Sequence, residues 1–211
     1  MKRTNARRAA GIAALALTVP FGLAACGSDD SSNAATDTGS KSPGMAKSSD
    51  SSMDASAQTF GPGCSAIPSS GAGSFNGMAT APVASAASAN PLLKTLVTAV
   101  TKAGLVDTLN SAKALTVFAP TDDAFAKIPS KDLNAVLADK ATLTKVLTHH
   151  VLAGQLSPDQ IDGTHDTLAK DQVTVKGDTS GMTVDGAKVL CGNIPTANAT
   201  VYVIDSVLMP S

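Results

Sequence analysis

The chain has 211 residues, and its 16 basic and 17 acidic residues give a formal net charge of −1. The three arginines (Arg3, Arg7 and Arg8) all lie near the start of the chain, and every acidic residue is an aspartate. Without residues 1–25, twelve lysines face seventeen aspartates and the net charge is −5. An acidic chain without arginine is a poor nucleic-acid binder, because phosphate and base contacts rely on Arg and Lys, so we set this function aside.

The first 25 residues have the three parts of a secretory signal. Residues 1–8 are basic, residues 9–23 are apolar and rich in Ala and Leu, and small residues precede Cys26. A transmembrane anchor is the alternative, but the apolar run is shorter than the roughly 20 residues that a span needs. Pro20 also interrupts the end of this run. We therefore expect residues 1–25 to be a signal peptide that is removed.

Residues 23–26 (LAAC) resemble a bacterial lipobox, which implies cleavage before Cys26 and a diacylglyceryl thioether on its sulfur. Several acyl chains on one residue would satisfy the requirement for more than one anchor in stable membrane attachment. Residues 26–59 are dominated by Ser, Ala, Asp, Gly and Thr and include no aromatic residue. Because such a segment buries little apolar surface, we expect a disordered tether. The protein is then held at the outer face of the cell membrane, with a fraction released.

Residues 60–211 are enough for one domain with a well-buried core. Residues 60–88 are rich in Gly and Ala, and we expect an irregular lead-in with Cys64 as its anchor point. From Asn90 onward a helical hydrophobic period is clear, and Gly104 ends that helix. A second short helix is predicted before the chain enters its first strand.

Residues 115–125 (LTVFAPTDDAF) predict a sharply defined junction between a strand and a helix. The β-branched and aromatic side chains favour a short buried strand, and Pro120 ends it because proline has no backbone donor. Thr121 can then cap a helix, and Asp122 and Asp123 lie in its first turn, where the helix dipole favours anions. We therefore interpret this segment as a junction that serves the fold.

The rest of the domain changes from a helical period to a strand period. Ser130 and Asp139 are predicted caps of two further helices, and a short strand follows at residues 151–154. Strands separated by Gly- and Asp-containing turns are then predicted within residues 164–209. Helices followed by a strand meander, with one early strand at residues 115–119, describe an α+β domain with a mostly antiparallel sheet.

Three segments resemble the signature segments of the fasciclin (FAS1) domain family. They are residues 116–125 (TVFAPTDDAF), residues 147–154 (LTHHVLAG) and residues 199–210 (ATVYVIDSVLMP). The resemblance covers about residues 78–210 and implies a wedge-shaped β-sandwich with helices packed along it. Residues 61–64 (GPGC) further resemble the lead-in of the secreted and lipid-anchored fasciclin antigens of mycobacteria and related actinobacteria.

The resemblance implies an adhesion or matrix-interaction module rather than an enzyme. In animal members a tyrosine–histidine pair in the second motif has been tied to integrin binding. In this sequence His149 stands at the tyrosine position and His150 at the histidine position, so both are candidates for contact with a partner. The alternative for His150 is structural: its imidazole would bridge the second motif to the first, near Thr121 or Asp122.

Two cysteines, Cys64 and Cys191, remain once Cys26 is lipidated. An even pair in an exported protein is most simply a disulfide, which here would join the lead-in to a strand. Two free thiols are the alternative. Residues 61–64 together with Cys191 and Gly192 resemble the corresponding segments of the secreted and lipid-anchored fasciclin antigens.

The remaining polar residues give no convincing pattern for a metal site or for catalysis. His149, His150 and His165 could suggest a metal site, but adjacent residues point to different faces and no further ligand lies at suitable spacing. No Gly-x-Ser-x-Gly turn, Ser-x-x-Lys pair or phosphate-binding glycine loop is convincing either. Asn198 begins a glycosylation sequon, which we interpret as a chance match. We expect no metal, no cofactor and no catalytic activity.

The sequence therefore predicts a lipid-anchored, extracytoplasmic surface protein with one monomeric domain. Its partner would be an unidentified protein or envelope glycan, and the lipid would hold it to the membrane. An envelope carrier that binds a small apolar or glycan ligand is the alternative. A wall hydrolase or transferase is a third hypothesis, which the missing nucleophile motifs disfavour.

Overall fold

The computed structural model of the protein describes residues 54–210. The helices are a 3-10 helix at Pro62–Ala66, α1 (Phe75–Ala79), α2 (Val83–Ala89), α3 (Lys94–Ala103), α4 (Val106–Ser111), α5 (Asp122–Ala126), α6 (Ser130–Ala138) and α7 (Lys140–His149). The strands are β1 (Leu115–Pro120), β2 (Val151–Ala153), β3 (Gly163–Asp166), β4 (Gln172–Lys176), β5 (Thr183–Val184), β6 (Ala187–Pro195) and β7 (Ala199–Ile204). Strand β1 lies among the helices and the other strands follow them, so the predicted α+β class is confirmed.

The strands form one mixed sheet in the order β2-β1-β7-β6-β5-β4-β3. Strand β1 runs parallel to β7, with Val117 opposite Val201, whereas the other neighbouring strands are antiparallel. The sheet is therefore mixed: five of its six neighbouring pairs are antiparallel as expected, and the parallel β1–β7 pair, next to the β2 edge, departs from that expectation. This pairing is possible because the chain between β1 and β7 is long enough to return to the same end of the sheet.

The two outer strands of the sheet meet each other. Leu152 in β2 forms an isolated antiparallel bridge with Thr167, just after β3. Beside it, the N–H of Leu168 donates to the carbonyl of Val151 at 2.9 Å. The sheet thus folds over onto itself, which agrees with the wedge-shaped sandwich that the resemblance implies.

The folded sheet separates two apolar clusters. One cluster joins the helices to one face of β1 and β7 and includes Leu96 and Val117, and the other lies inside the folded sheet and includes Phe118 and Tyr202. Strand β1 contributes to both clusters because successive side chains of a strand point to opposite faces. Every residue of β1 is buried for this reason.

The lead-in contains more regular structure than its composition predicts. Both α1 and α2 form there, and Ser74 caps α1 by accepting a hydrogen bond from the N–H of Gly77 at 3.1 Å. The side chain of Asn90 holds a turn by accepting from the N–H of Leu92 at 3.0 Å, so α3 begins later than predicted. Gly104 ends α3 in the left-handed region at φ 74°, as predicted.

The predicted signal peptide, Cys26 and most of the predicted tether lie outside the described residues. Residues 54–59, which the sequence assigns to the tether, form turns and bind the domain. The N–H of Ala55 donates to Oδ1 of Asn76 at 3.0 Å, and Nδ2 of Asn193 donates to the carbonyl of Gln58 at 2.9 Å. None of the helices between residues 54 and 210 is both long and apolar enough to cross a membrane.

Candidate functional site

The junction between β1 and α5 has the local structure that its sequence predicts. Strand β1 ends at Pro120, and Thr121 takes the N-cap position of α5. The hydroxyl of Thr121 accepts a hydrogen bond from the N–H of Ala124 at 3.2 Å. This hydroxyl therefore satisfies one of the backbone donors that every helix start leaves free.

Asp122 has a further role that lies outside its own helix. Its Oδ1 accepts a hydrogen bond from the N–H of Thr95 at 2.7 Å, in the first turn of α3. Its own N–H donates to the carbonyl of Leu92 at 2.9 Å. Asp122 thus ties the first motif to the start of a helix 27 residues earlier in the chain. Asp123, its neighbour, is exposed.

His150, the first residue after α7, lies inside the protein with 2% of its surface exposed. Its Nδ1 donates to the carbonyl of Val146 at 2.8 Å, and its Nε2 accepts from the N–H of Leu208 at 2.9 Å. These two partners hold the ring in its neutral form with the hydrogen on Nδ1. Burial lowers the pKa of His150 to about 4.

The expected neighbours of His150, Thr121 and Asp122, are corrected to Val146 and Leu208. The side chain of Asp122 is directed to α3, and the hydroxyl of Thr121 is used within α5. Contact with the first motif is made instead by the backbone, since the N–H of Phe118 donates to the carbonyl of His150 at 2.8 Å. The imidazole therefore connects the second motif to the end of the chain.

His149 is also buried, with 2% of its surface exposed. Its Nδ1 donates to Oδ1 of Asp171 at 2.7 Å, and the hydroxyl of Thr167 donates to the same oxygen. Burial acts to raise the pKa of Asp171, but the hydrogen bonds from Thr167 and His149 lower it below its usual value. This cluster fastens the turn between β3 and β4 to the end of α7.

The histidine pair does not form a surface for a partner. The two rings meet edge to face, with their centroids 6.2 Å apart, and both are covered by the fold. The suggested partner contact through His149 and His150 is corrected accordingly, because neither imidazole is presented on the outer surface. Sequence adjacency could not reveal this burial.

The third histidine lies apart from this pair. Nε2 of His165, in β3, donates to the carbonyl of Ile161 at 2.8 Å. Within residues 54–210 no group of three or more His, Cys, Asp or Glu side chains is placed to hold a metal ion. The polar side chains of the candidate site are therefore engaged with the fold rather than gathered around a common point.

The disulfide between Cys64 and Cys191 is confirmed, with its two Cα atoms 4.8 Å apart. It fastens the lead-in to β6, next to a backbone pairing of Phe60 with Gly192. The ring of Phe60 also packs against Tyr202, with a centroid separation of 6.3 Å. The lead-in is thus a fixed part of the domain rather than a loose extension.

Asn198 is a structural residue that the sequence did not single out for this role. Its Oδ1 accepts from the N–H of Val83 at 2.8 Å, and its Nδ2 donates to the carbonyls of Leu109 and Ala112, both at 2.8 Å. One buried amide thus joins α2, the α4 region and the start of β7. The amide nitrogen of the sequon is buried and occupied, in agreement with a chance match.

A cavity that we call the apolar groove lies between α2, α3, α4, α7 and β1. It encloses about 70 Å³, or about 710 Å³ when its part open to solvent is included. Most of its lining is aliphatic, and its walls include Val83, Ala87, Leu96, Val97, Val100, Leu105, Val106, Leu109, Val117, Leu147, Val151 and Leu168. The groove has the chemical character of a site for an apolar molecule.

A family model described as Fasciclin domain matches residues 91–210, a range that includes the junction and both buried histidines. The chain is 42% identical to the cell surface glycolipoprotein MPB83 of Mycobacterium bovis, over 100% of this chain and 99% of the relative. It is 47% identical to the immunogenic protein MPT70 of Mycobacterium tuberculosis, over 74% of this chain and 84% of the relative. A solved FAS1 domain pair from the insect cell adhesion molecule fasciclin I has a TM-score of 0.47 and 24% identity, and the match covers 56% of this chain and 45% of that one.

Proposed function

Since this chain belongs to the fasciclin domain family, we propose that it is a lipid-anchored protein outside the cytoplasmic membrane that binds a wall, matrix or protein partner. The domain would work without catalysis, as a monomeric module on a tether. The partner would be recognised by the exposed surface, because the signature residues are used inside the fold.

The observation that carries this proposal is the 42% identity to a cell surface glycolipoprotein over the whole length of this chain. The aligned region takes in the predicted leader as well as the domain. A surface location is therefore supported for this chain too. The lipobox-like segment at residues 23–26 supports attachment through Cys26, since lipid on this residue would anchor the protein after cleavage.

The geometry of the candidate site supports a role in binding rather than chemistry. A nucleophile or general base must reach a substrate, and the imidazoles of His149 and His150 are both buried. Asp122 and Thr121 are also engaged, each accepting a backbone hydrogen bond. What these residues supply is a rigid scaffold for the surface around them.

The anchor can be tested by mass spectrometry of the N-terminal peptide of the full-length chain produced in an actinobacterial host. We expect cleavage before Cys26 and a diacylglyceryl group on its sulfur. Cys26→Ala should leave an uncleaved or released protein, whereas the nearby control Ser28→Ala should be processed normally. A Cys26→Ala protein that remains in the membrane as a mature lipidated form would overturn this part of the proposal.

The binding role can be tested by chemical cross-linking on intact cells, followed by identification of the molecules joined to the protein. We expect a reproducible wall glycan or protein partner. Capture should be lost in a Cys64→Ala, Cys191→Ala variant under conditions where circular dichroism shows that its domain is unfolded. Unchanged capture by that variant would point to the tether, and turnover of an envelope polymer that one Asp or His substitution abolishes would make the protein an enzyme.

A further inference from the structure

The apolar groove is lined mainly by aliphatic side chains, and most of the polar groups in its lining are already hydrogen-bonded within the fold. Of the polar residues in its lining, Ser88 donates to the carbonyl of Ala84 at 2.7 Å and Thr148 donates to the carbonyl of Thr144 at 2.8 Å. Both ring nitrogens of His150 are also occupied, and Thr108, the remaining polar residue of the lining, is exposed to solvent. A group buried in this groove would therefore gain only from leaving water, which favours a hydrocarbon.

The outer wall of the groove is made of apolar side chains that the fold covers only in part. Helix α4 has no buried residue, yet Leu105, Val106 and Leu109 in and beside it line the groove and are half-buried. Apolar side chains that remain partly in water gain free energy when another apolar molecule covers them. These side chains would lose their remaining contact with water when a hydrocarbon fills the groove.

Leu168 stands at the rim of the groove. It is 42% exposed and, with Met209, is one of two large apolar residues that are exposed within residues 54–210. Its backbone is fixed to β2 through Val151, so its position is set by the fold while its side chain stays in water. An exposed leucine beside an apolar groove extends the surface that a hydrocarbon could cover.

Lys170 follows Leu168 by two residues, in the turn that reaches this rim. The N–H of Lys170 donates to the carbonyl of Thr167 at 3.0 Å, so Lys170 closes the tight turn that carries Leu168. Lys170 is exposed, whereas Oδ1 of the neighbouring Asp171 accepts hydrogen bonds from His149 and Thr167. A lysine at this place is complementary to an anionic group that stays in water at the rim.

We propose that the apolar groove binds the alkyl chain of a fatty acid, with its carboxylate outside the groove beside Lys170. The alkyl chain would enter between α4 and the turn that carries Leu168, and it would displace no hydrogen bond of the lining. This inference is independent of the lipid on Cys26, and it gives the domain a ligand in addition to any macromolecular partner.

Photo-cross-linking tests the proposal on the full-length chain in phosphatidylcholine vesicles. The probe is a long-chain fatty acid with a diazirine in its alkyl chain. We expect cross-links on the peptides that carry Val97, Leu109 and Leu168, and competition by unlabelled palmitate. Methyl palmitate should compete about tenfold less well, because it lacks the charge that Lys170 attracts. Equal competition by the ester, or labelling spread evenly over the domain, would overturn the proposal.

Paired variants then locate the site. Val97→Trp fills the groove and should reduce the labelling about tenfold, by removing the space for two or more methylene groups. Thr98→Trp makes the same change at an exposed position of α3 and should label like the parent. Leu168→Glu alters only the exposed rim, so it keeps the fold and should also weaken labelling. Unchanged labelling in Leu168→Glu would contradict the assignment even if Val97→Trp fails to fold.

Discussion

The carboxylate of Asp122 accepts a hydrogen bond from the backbone N–H of Thr95, with 2.7 Å between Oδ1 and the nitrogen. Asp122 begins α5, yet the helix whose free donor it satisfies is α3. Helix α3 has no side-chain cap of its own, because Leu93 stands at its N-cap position. The first signature motif therefore supplies the missing cap for an earlier helix.

This relationship predicts that Asp122→Ala lowers the free energy of unfolding by about 1 to 2 kcal/mol, the usual cost of a lost helix cap. Asp123→Ala is the matched control, because Asp123 is exposed and makes no such contact across to α3. It should cost only a few tenths of a kcal/mol through the helix dipole of α5. Urea denaturation of both variants measures the difference, and equal losses would contradict the role of Asp122 at α3.

The buried His150 predicts a loss of stability in mildly acidic solution. Its pKa is about 4 in the folded protein and 6.5 when unperturbed, so between these pH values the unfolded chain binds more protons. The contribution is complete above pH 6.5 and is lost as the pH falls to 4, by roughly 3 kcal/mol in total. Asp171 and Asp205 have a lowered pKa, so their contributions are lost only below their usual value of 3.8.

The variant His150→Gln tests this assignment. It should be less stable than the parent at neutral pH, because two buried hydrogen bonds are disturbed, but its stability should change little between pH 6.5 and 4. His165→Gln is the control, since His165 is only partly buried and should leave the parent's pH dependence in place. Urea denaturation across this pH range measures both, and a parent-like slope in His150→Gln would rule out His150 as its source.

We expect that removing the side-chain amide of Asn198 lowers the stability of the protein strongly. Asn198→Ala would leave the N–H of Val83 and the carbonyls of Leu109 and Ala112 without their partner. Each buried unsatisfied group costs about 1 to 3 kcal/mol, so we expect a loss of at least about 3 kcal/mol. The exposed Asn134 in α6 provides the control, and Asn134→Ala should change stability by less than about 0.5 kcal/mol. Equal effects on the denaturation midpoint would show that the Asn198 network is unimportant.

We expect the disulfide to stabilise the folded protein mainly by restricting the conformations of the unfolded chain. Cys64 and Cys191 are 127 residues apart, and closing a loop of this length contributes about 4 to 5 kcal/mol in the chain-entropy model. The double variant Cys64→Ala, Cys191→Ala should be destabilised by up to this amount, and a reducing agent should have no additional effect on it. Peptide mapping without reduction should recover the linked pair, whereas two alkylatable thiols in the native protein would refute the bond.

Much of the fold could be predicted because its local signals agree. Residues 115–125 combine a buried strand, a proline that ends it and a threonine cap, and the structure has β1, Pro120 and Thr121 in these roles. Gly104 ends its helix as expected because glycine adopts the left-handed region freely. The change of hydrophobic period near residue 150 also separated helices from strands correctly.

Other features escaped prediction because they depend on distant parts of the chain. The lead-in has the composition of a loop, yet α1 and α2 form there because Val83, Ala84 and Ala86 are buried against the domain. The partner of His150 is Leu208, 58 residues further along the chain, and no spacing rule connects them. No spacing rule connects Asp122 with Thr95 either, although the two are hydrogen-bonded.

The sequence by itself determined the class of the domain, its signature junction and its paired cysteines, because hydrophobic period, caps and cysteine count are local properties of the chain. Only the tertiary structure decided the parallel pairing of β1 with β7, the burial of His149 and His150, and the existence of the apolar groove. Each of these depends on which segments meet after the chain folds. Buried side chains must satisfy their polar atoms with whichever groups lie nearest in space.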